Sequence, residues 1–153
     1  MAESFLPIEL YLPHRGPMLL VDRLLSDEGE RVRVEATVPA DGLFVRDGVL
    51  PSWVGLELMA QTIGVYAGRR RRERNEAVRL GFLLGTRRYT CKTDGFPVGA
   101  RLEIDAHLEI LSEQGLAVFR CRILEGGIEV AEALLNVFQP NDVDTYLKET
   151  LGV

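Results

Sequence analysis

A stretch of twenty residues, VLPSWVGLELMAQTIGVYAG at positions 49–68, carries a single charged side chain, Glu57. Leu, Met, Ile and Ala fill its body and Pro51 suits a first turn, so the stretch predicts a helix buried on most sides. At 3.6 residues per turn Glu57 and Gln61 share one face, which Gly64 and Gly68 continue, polar first and then bare. A carboxylate in apolar surroundings loses water, which disfavours its charged form unless a cation or several N–H donors compensate. Two readings of Glu57 stay open: a functional carboxylate, or one hydrogen-bonded at a helix packing seam. The stretch is long enough to span a membrane, but Pro51, Ser52, Glu57, Gln61 and Thr62 argue for a buried helix of a soluble protein and against any membrane partner.

With 153 residues, 46% of them hydrophobic and 27% charged, the chain fits one soluble domain, residues 1–153, able to bury a sizeable core. Its net charge of −5 argues against nucleic-acid binding. The opening MAESFLPIELYLPHR lacks the basic start, apolar core and cleavage site of a signal peptide, so a cytoplasmic location is expected. Cys91 and Cys121 have neither metal nor redox spacing. Cys121 alternates with Ala117, Phe119 and Ile123 and reads as a small core residue. No metal and no cofactor is expected.

Outside the helix the pattern is mainly β. Residues 18–25 and 31–38 are β-rich runs about the turn SDEGE and predict a hairpin. Further strands are expected at 80–91, 101–111, 116–124 and 128–138, separated by the turns DGFPVG, SEQG and EGG, and the four are expected to form a meander. In RLEIDAHLEI, Leu102, Ile104, Ala106, Leu108 and Ile110 face one way, while Arg101, Glu103, Asp105, His107 and Glu109 face solvent. Short helices are expected at 7–12 and 143–150, the latter capped by Asn141 or Asp142.

A hairpin, one long apolar helix and four antiparallel strands make an α+β pattern. A single apolar helix is most economically covered by a curved antiparallel sheet wrapped around it, which is the hot-dog fold. One protomer of that architecture leaves a sheet edge and part of the helix uncovered, so a homodimer, or a heterodimer with another hot-dog subunit, is expected.

Two motifs carry a family resemblance. LPHRGPMLLVDRLL at 12–25 resembles the amino-terminal signature of the hot-dog 3-hydroxyacyl-acyl-carrier-protein dehydratases. LPSWVGLELMAQTIGVYAG resembles their helix signature, Pro-Gly-Val-Leu, two apolar residues, then Glu-Ala-x-Ala-Gln. The resemblance continues loosely through FLLGTRRYTCKTDGFPVGARL and so covers almost the whole chain. It implies an acyl-thioester substrate on an acyl carrier protein or coenzyme A, and a base, an acid and donors to a carbonyl oxygen, as dehydration of a 3-hydroxyacyl thioester requires. It further implies Glu57 as the carboxylate that orients or protonates the hydroxyl, Gln61 as its support, and backbone N–H groups around Ser52, Trp53 and Val54 as donors to the thioester carbonyl.

The chain departs from the family where the loop histidine of Gly-His-Phe-Pro is expected, fourteen residues before the glutamate: Leu43 stands there, between the matching Gly42 and Phe44. Ser52 replaces a glycine and Trp53 a smaller residue. Of the two histidines, His107 belongs to the outer strand face, which leaves His14 as the candidate catalytic imidazole. His14 has a second reading, in which it and Arg15 fix the amino-terminal segment, with Asp22 and Arg23 in ion pairs nearby. The PHRGPM start, the missing loop histidine and GFLLGTRRY together resemble the divergent dehydratase-like proteins of aryl-polyene and related pathways, some of which serve as partners of a complete hot-dog subunit. A thioesterase using Glu57 alone, and a non-catalytic partner subunit, are the alternatives.

The cluster GRRRRERNEAVR holds Arg69, Arg70, Arg71, Arg72, Arg74 and Arg79. It reads either as basic residues complementing the carboxyl end of a helix or as a docking patch for an acidic acyl carrier protein, which Arg87, Arg88 and Lys92 would extend.

Overall fold

The computed structural model describes residues 4–76 and 82–138. Strands β1 (Arg23–Asp27) and β2 (Arg31–Thr37) form the expected hairpin, followed by a short β3 (Val49–Pro51) and a 3₁₀ turn (Ser52–Val54) that runs into the single long helix α1 (Gly55–Glu73). Strands β4 (Phe82–Cys91), β5 (Gly95–Pro97), β6 (Arg101–Leu111), β7 (Leu116–Glu125) and β8 (Ile128–Phe138) follow. Six strands form one antiparallel sheet in the order β1-β2-β6-β7-β8-β4, and β3 pairs with β5 in a separate ribbon. Helix α1 packs on β6, β2 and β7.

The helix buries Leu58, Met59, Thr62, Ile63 and Val65 against Val34, Ile104, Phe119 and Ile123 of the sheet, in one apolar core. It begins later and ends later than the apolar stretch, because β3 takes residues 49–51 and the arginines, good helix formers, extend it by a turn. Asn75 then stops it in the left-handed conformation (φ 57°), its N–H bonded to the Arg72 carbonyl at 3.0 Å, while Glu76 N–H reaches the Arg71 carbonyl at 2.8 Å.

Several expectations are corrected. The first strand starts at Arg23 and not at residue 18, because Gly16–Met18 forms a 3₁₀ turn and the backbone of Met18 and Leu20 pairs with the Gln61 side chain instead of a strand. The last four long strands are not a simple meander: β6, β7 and β8 are, but β4 crosses to the far edge of β8. Asp105 lies on the outer face as expected yet is 1% exposed, covered by Arg31, Arg33 and Arg122 at 3.1–3.5 Å. Ile110 leaves the inner face because the register shifts between Leu108 and Ile110, and it is 62% exposed. The expected helix at 7–12 is a 3₁₀ turn at Ile8–Leu10. The one expected at 143–150 lies outside the described residues, as does Arg79. His107 and buried Cys121 take the faces the alternation gave them.

Candidate active site

The bare part of the Glu57 face is where the amino-terminal segment crosses the helix. A Cβ on Gly68 would stand 1.9 Å from the Tyr11 carbonyl oxygen, and one on Gly64 would stand 2.6 Å from Leu12 Cδ2. The two glycines let the segment lie on the helix backbone, with Tyr11 and Leu12 fully buried. As the segment continues toward the start of the helix, it brings His14 Nε2 to 3.6 Å from Glu57 Oε1. Arg15 steadies the turn by donating to the carbonyls of Leu12 at 2.6 Å and His14 at 2.7 Å. Nearby, Arg23 pairs with Glu35 at 3.1 Å, while Asp22 accepts the Thr37 N–H at 2.7 Å. Burial raises the Asp22 carboxyl above its ordinary value, against the lowering effect of that bond.

Gln61, 1% exposed, holds this arrangement together. Its Oε1 accepts the Leu20 N–H at 2.9 Å, and since a backbone N–H can only donate, the amide orientation is fixed. Its Nε2 therefore donates twice, to the Met18 carbonyl at 2.8 Å and to Glu57 Oε1 at 2.9 Å. Glu57 is less buried than the sequence suggests, with a side chain 37% exposed where it borders the groove.

His14 and Glu57 stand at one end of a groove of about 610 Å³ between α1 and the inner face of the sheet. Along the helix it is lined by Ala60, Ile63, Gly64 and Ala67, and Arg70, Arg71 and Arg74 close the far end. From Glu57 to Arg74 is about 25 Å at 1.5 Å per residue. Leu108, Phe119 and Val137 form the opposite wall, and Tyr66 packs edge-on against Phe119 with ring centres 5.2 Å apart. This shape suits an extended apolar chain.

Leu43 is not in this groove. It is partly exposed and lines a second cavity of about 370 Å³ with Leu20, Val38, Leu50 and Leu58. Trp53 is 60% exposed and edge-on to Phe44, ring centres 5.8 Å apart, while Val54 is buried. The Ser52 carbonyl accepts the Tyr89 hydroxyl at 2.5 Å. Burial drives the Tyr89 hydroxyl above its ordinary value, reinforced by Cys91. Sequence reasoning missed Tyr89. Its signal is Gly55, where a Cβ would stand 2.2 Å from the Tyr89 oxygen, but that close approach shows only once β4 is folded over the helix start.

The arginines divide. Arg70 grips Asp27 with two bonds of 2.7 and 2.8 Å and also donates to the Gly29 carbonyl; Arg69 meets the same carboxylate at 2.5 Å. Burial alone would raise the Asp27 carboxyl, but Arg70, the Gly29 N–H and Arg69 outweigh it and hold it down at about 2. Arg71 is buried and donates to Glu76 at 2.7 Å. Arg72 and Arg74 point outward, Arg74 with Glu76 at 3.3 Å. The first three thus fasten the helix end to the β1–β2 turn and to the residues that follow it. Among the described residues no cluster of His, Cys, Asp or Glu is arranged to hold a metal, and no helix is long and apolar enough to cross a membrane.

An antiparallel sheet packed on one long helix, with a glutamate and its glutamine on the helix face toward an apolar groove, defines a hot-dog domain. The chain belongs to the ApeP-like dehydratase family, whose model (ApeP dehydratase) matches residues 6–148. It is similar to a chain of the dehydratase heterocomplex ApeI:P from Xenorhabdus doucetiae, with 35% identity and a TM-score of 0.87 over 96% of this chain and 99% of that one. More distant likenesses show the fold alone. The TT0310 protein of Thermus thermophilus has 21% identity and a TM-score of 0.60 over 82% of this chain and 99% of that one. A mutant of the phenylacetic acid degradation protein PaaI from the same organism has 20% identity and a TM-score of 0.58 over 76% and 91%.

Proposed function

We propose that the chain is a subunit of a 3-hydroxyacyl-thioester dehydratase in an aryl-polyene or related specialised acyl pathway, working on carrier-protein-bound substrates beside a second hot-dog subunit. The observation that carries this reading is the His14–Glu57 pair, 3.6 Å apart at the reactive end of an apolar groove. Elimination of water moves the C2 proton to a base, turns the C2–H electron pair into the C2–C3 π bond, and expels the C3 oxygen as water once it is protonated. Glu57 and His14 are the groups within reach of such a C2–C3 unit. N–H groups at Ser52, Trp53 and Val54 are the candidate donors to the thioester carbonyl.

Three observations support a second subunit. Glu57 in the groove keeps a side chain 37% exposed, β4 is a ten-residue edge strand, and Leu83 on β4 and Leu111 at the end of β6 are exposed beside the groove. The similar chain comes from a heterocomplex, which favours a different hot-dog subunit over a second copy. Arg72 and Arg74, exposed at the helix end, are the candidate docking residues for an acidic carrier protein; Arg69, Arg70 and Arg71 contribute field from their ion pairs.

A partner subunit without chemistry of its own is the second reading, favoured by Leu43 in the family's histidine position and outside the groove. Incubating the chain with 3-hydroxyacyl-carrier-protein, alone and with the cognate hot-dog subunit, and following enoyl product by mass separates the readings. Dehydratase action gives loss of water dependent on Glu57. Free acid and thiol would mark a thioesterase, and turnover by the complex unaffected at Glu57 would mark a silent partner.

A further inference from the structure

We infer that Tyr89 is a positioning residue for the dehydration: its hydroxyl holds the peptide unit between Ser52 and Trp53, so that the N–H groups leading into α1 are aimed at the thioester carbonyl. This rests on the dehydratase reading above. The first observation is how β4 delivers the side chain. Arg87 pairs with Leu134 of β8 and Thr90 with Glu132, so Arg88 and Tyr89 together stand opposite Ala133 alone. The extra residue makes a β-bulge, and Arg88 takes it up in the left-handed conformation (φ 56°), which a residue with a Cβ adopts only at a cost.

The bulge decides which way Tyr89 points. Side chains of a strand alternate between its two faces. Ala131, Ala133 and Leu135 are the buried residues of β8, so Glu132 and Leu134 mark the outer face, and Arg87 and Thr90 lie on it with them. Without the inserted residue Tyr89, two places after Arg87, would face outward as well. With it, Tyr89 turns inward and packs partly buried against the core. Strain held in an edge strand asks for a reason, and what it changes here is the face of Tyr89.

The inward ring meets the start of the helix. Gly55, the first residue of α1, is bare where a Cβ would stand 2.2 Å from the Tyr89 oxygen, so the hydroxyl reaches backbone that a larger residue would cover. It donates to the Ser52 carbonyl at 2.5 Å, and the same carbonyl accepts the Gly55 N–H. On the other side of Ser52, Pro51 pairs with Gly95 of β5, so Ser52 is held from both ends. A peptide unit is planar and trans, its C=O and N–H pointing opposite ways, and a bond that fixes the Ser52 carbonyl therefore fixes the direction of the Trp53 N–H. Ser52 and Trp53 open the turn, and their N–H groups have no acceptor within it. Such donors stabilise charge developing on a carbonyl oxygen when they are aimed before it develops. Burial raises the Tyr89 hydroxyl above its ordinary value and keeps it protonated, so it remains a donor.

Tyr89→Phe, which keeps the ring and removes the hydroxyl, tests this in the complex with the cognate subunit through two readouts. With a carrier-bound 3-hydroxyacyl thioester, kcat is expected to fall about tenfold or more while KM stays within about threefold, as for an interaction made in the transition state. The second readout is the infrared carbonyl stretch of a saturated acyl thioester on carrier protein, labelled with carbon-13 at the thioester carbonyl and lacking a 3-hydroxyl to lose. Bound to the wild-type complex, its stretch is expected below that of the free thioester, and in the Tyr89→Phe complex it is expected to return toward the free value. A role in packing alone would lower the unfolding midpoint without moving the stretch. If wild type turns over and either the stretch or kcat is the same in both complexes, Tyr89 does not position the donors, while the dehydratase reading stands. If wild type forms no enoyl product, the dehydratase reading falls and takes the positioning role with it.

Discussion

Gly68 lies directly under the carbonyl of Tyr11: a Cβ at that position would stand 1.9 Å from the oxygen. The contact sets the path of the amino-terminal segment, which passes Gly68 with Tyr11 and Gly64 with Leu12 before His14 reaches Glu57. The helix is thus built as a track, bare where backbone must pass and polar where it ends.

Gly68→Ala is expected to destabilise the protein by about 1–3 kcal/mol through overpacking, even though alanine favours a helix interior by up to about 1 kcal/mol over glycine. Backbone cannot yield as a side chain can, so the segment must lift. Denaturant titration measures the loss, and an unchanged midpoint would show that the segment does not bear on the helix. Gly64→Ala, which meets only the end of Leu12, is expected to cost less.

Asp27 gives a pH dependence with a definite sign. Its carboxyl is held at about 2 in the folded protein against an ordinary 3.8. A depressed carboxylate contributes stability that is fully present above 3.8 and is lost as pH falls toward 2, here about 2 kcal/mol. Asp27→Asn is expected to lower stability at neutral pH and to flatten the decline of stability between pH 4 and pH 2, as read from unfolding midpoints across that window.

The pair Gly55 and Tyr89 should behave as a unit. A Cβ on Gly55 would stand 2.2 Å from the Tyr89 oxygen, and Tyr89→Phe removes that oxygen along with its bond to Ser52. Gly55→Ala is therefore expected to destabilise the wild type more than it destabilises the Tyr89→Phe variant, with a coupling of about 0.5–3 kcal/mol in a double-mutant cycle. Additive effects would mean that the hydroxyl does not set the packing at the helix start.

Much of this was legible in the sequence, for physical reasons. The lone charge at Glu57 and its partner four residues on are a property of helical period, and the alternation through β7 and through β6 as far as Leu108 is a property of strands, so both survive folding. Long-range choices were not legible. The crossing of β4 to the far edge of β8 depends on where a strand finds unpaired N–H groups. The loss of Met18 and Leu20 from the first strand depends on a glutamine forty-odd residues away. Asp105 looked solvent-facing because alternation gives the face of a residue and not what lies over it; three arginines from β2 and β7 cover it. The arginine run likewise showed its charge but not its partners, and Asp27 and Glu76 emerge only with the hairpin and helix end in place.

Carrier-protein docking at the helix end is expected to depend on salt. Arg72→Glu with Arg74→Glu should weaken binding of an acidic carrier protein by about tenfold or more at low ionic strength, with little change at high salt, as screening requires. Binding indifferent to both salt and charge reversal, measured by titration, would place docking elsewhere.

The decisive comparison is turnover of a carrier-bound 3-hydroxyacyl thioester by the chain with its cognate hot-dog subunit, followed by mass as loss of water, set beside the same complex carrying Glu57→Gln. The wild-type complex is expected to form enoyl product, and the Glu57→Gln complex to be at least about a hundredfold slower. Equal rates from the two complexes would remove Glu57 from the chemistry.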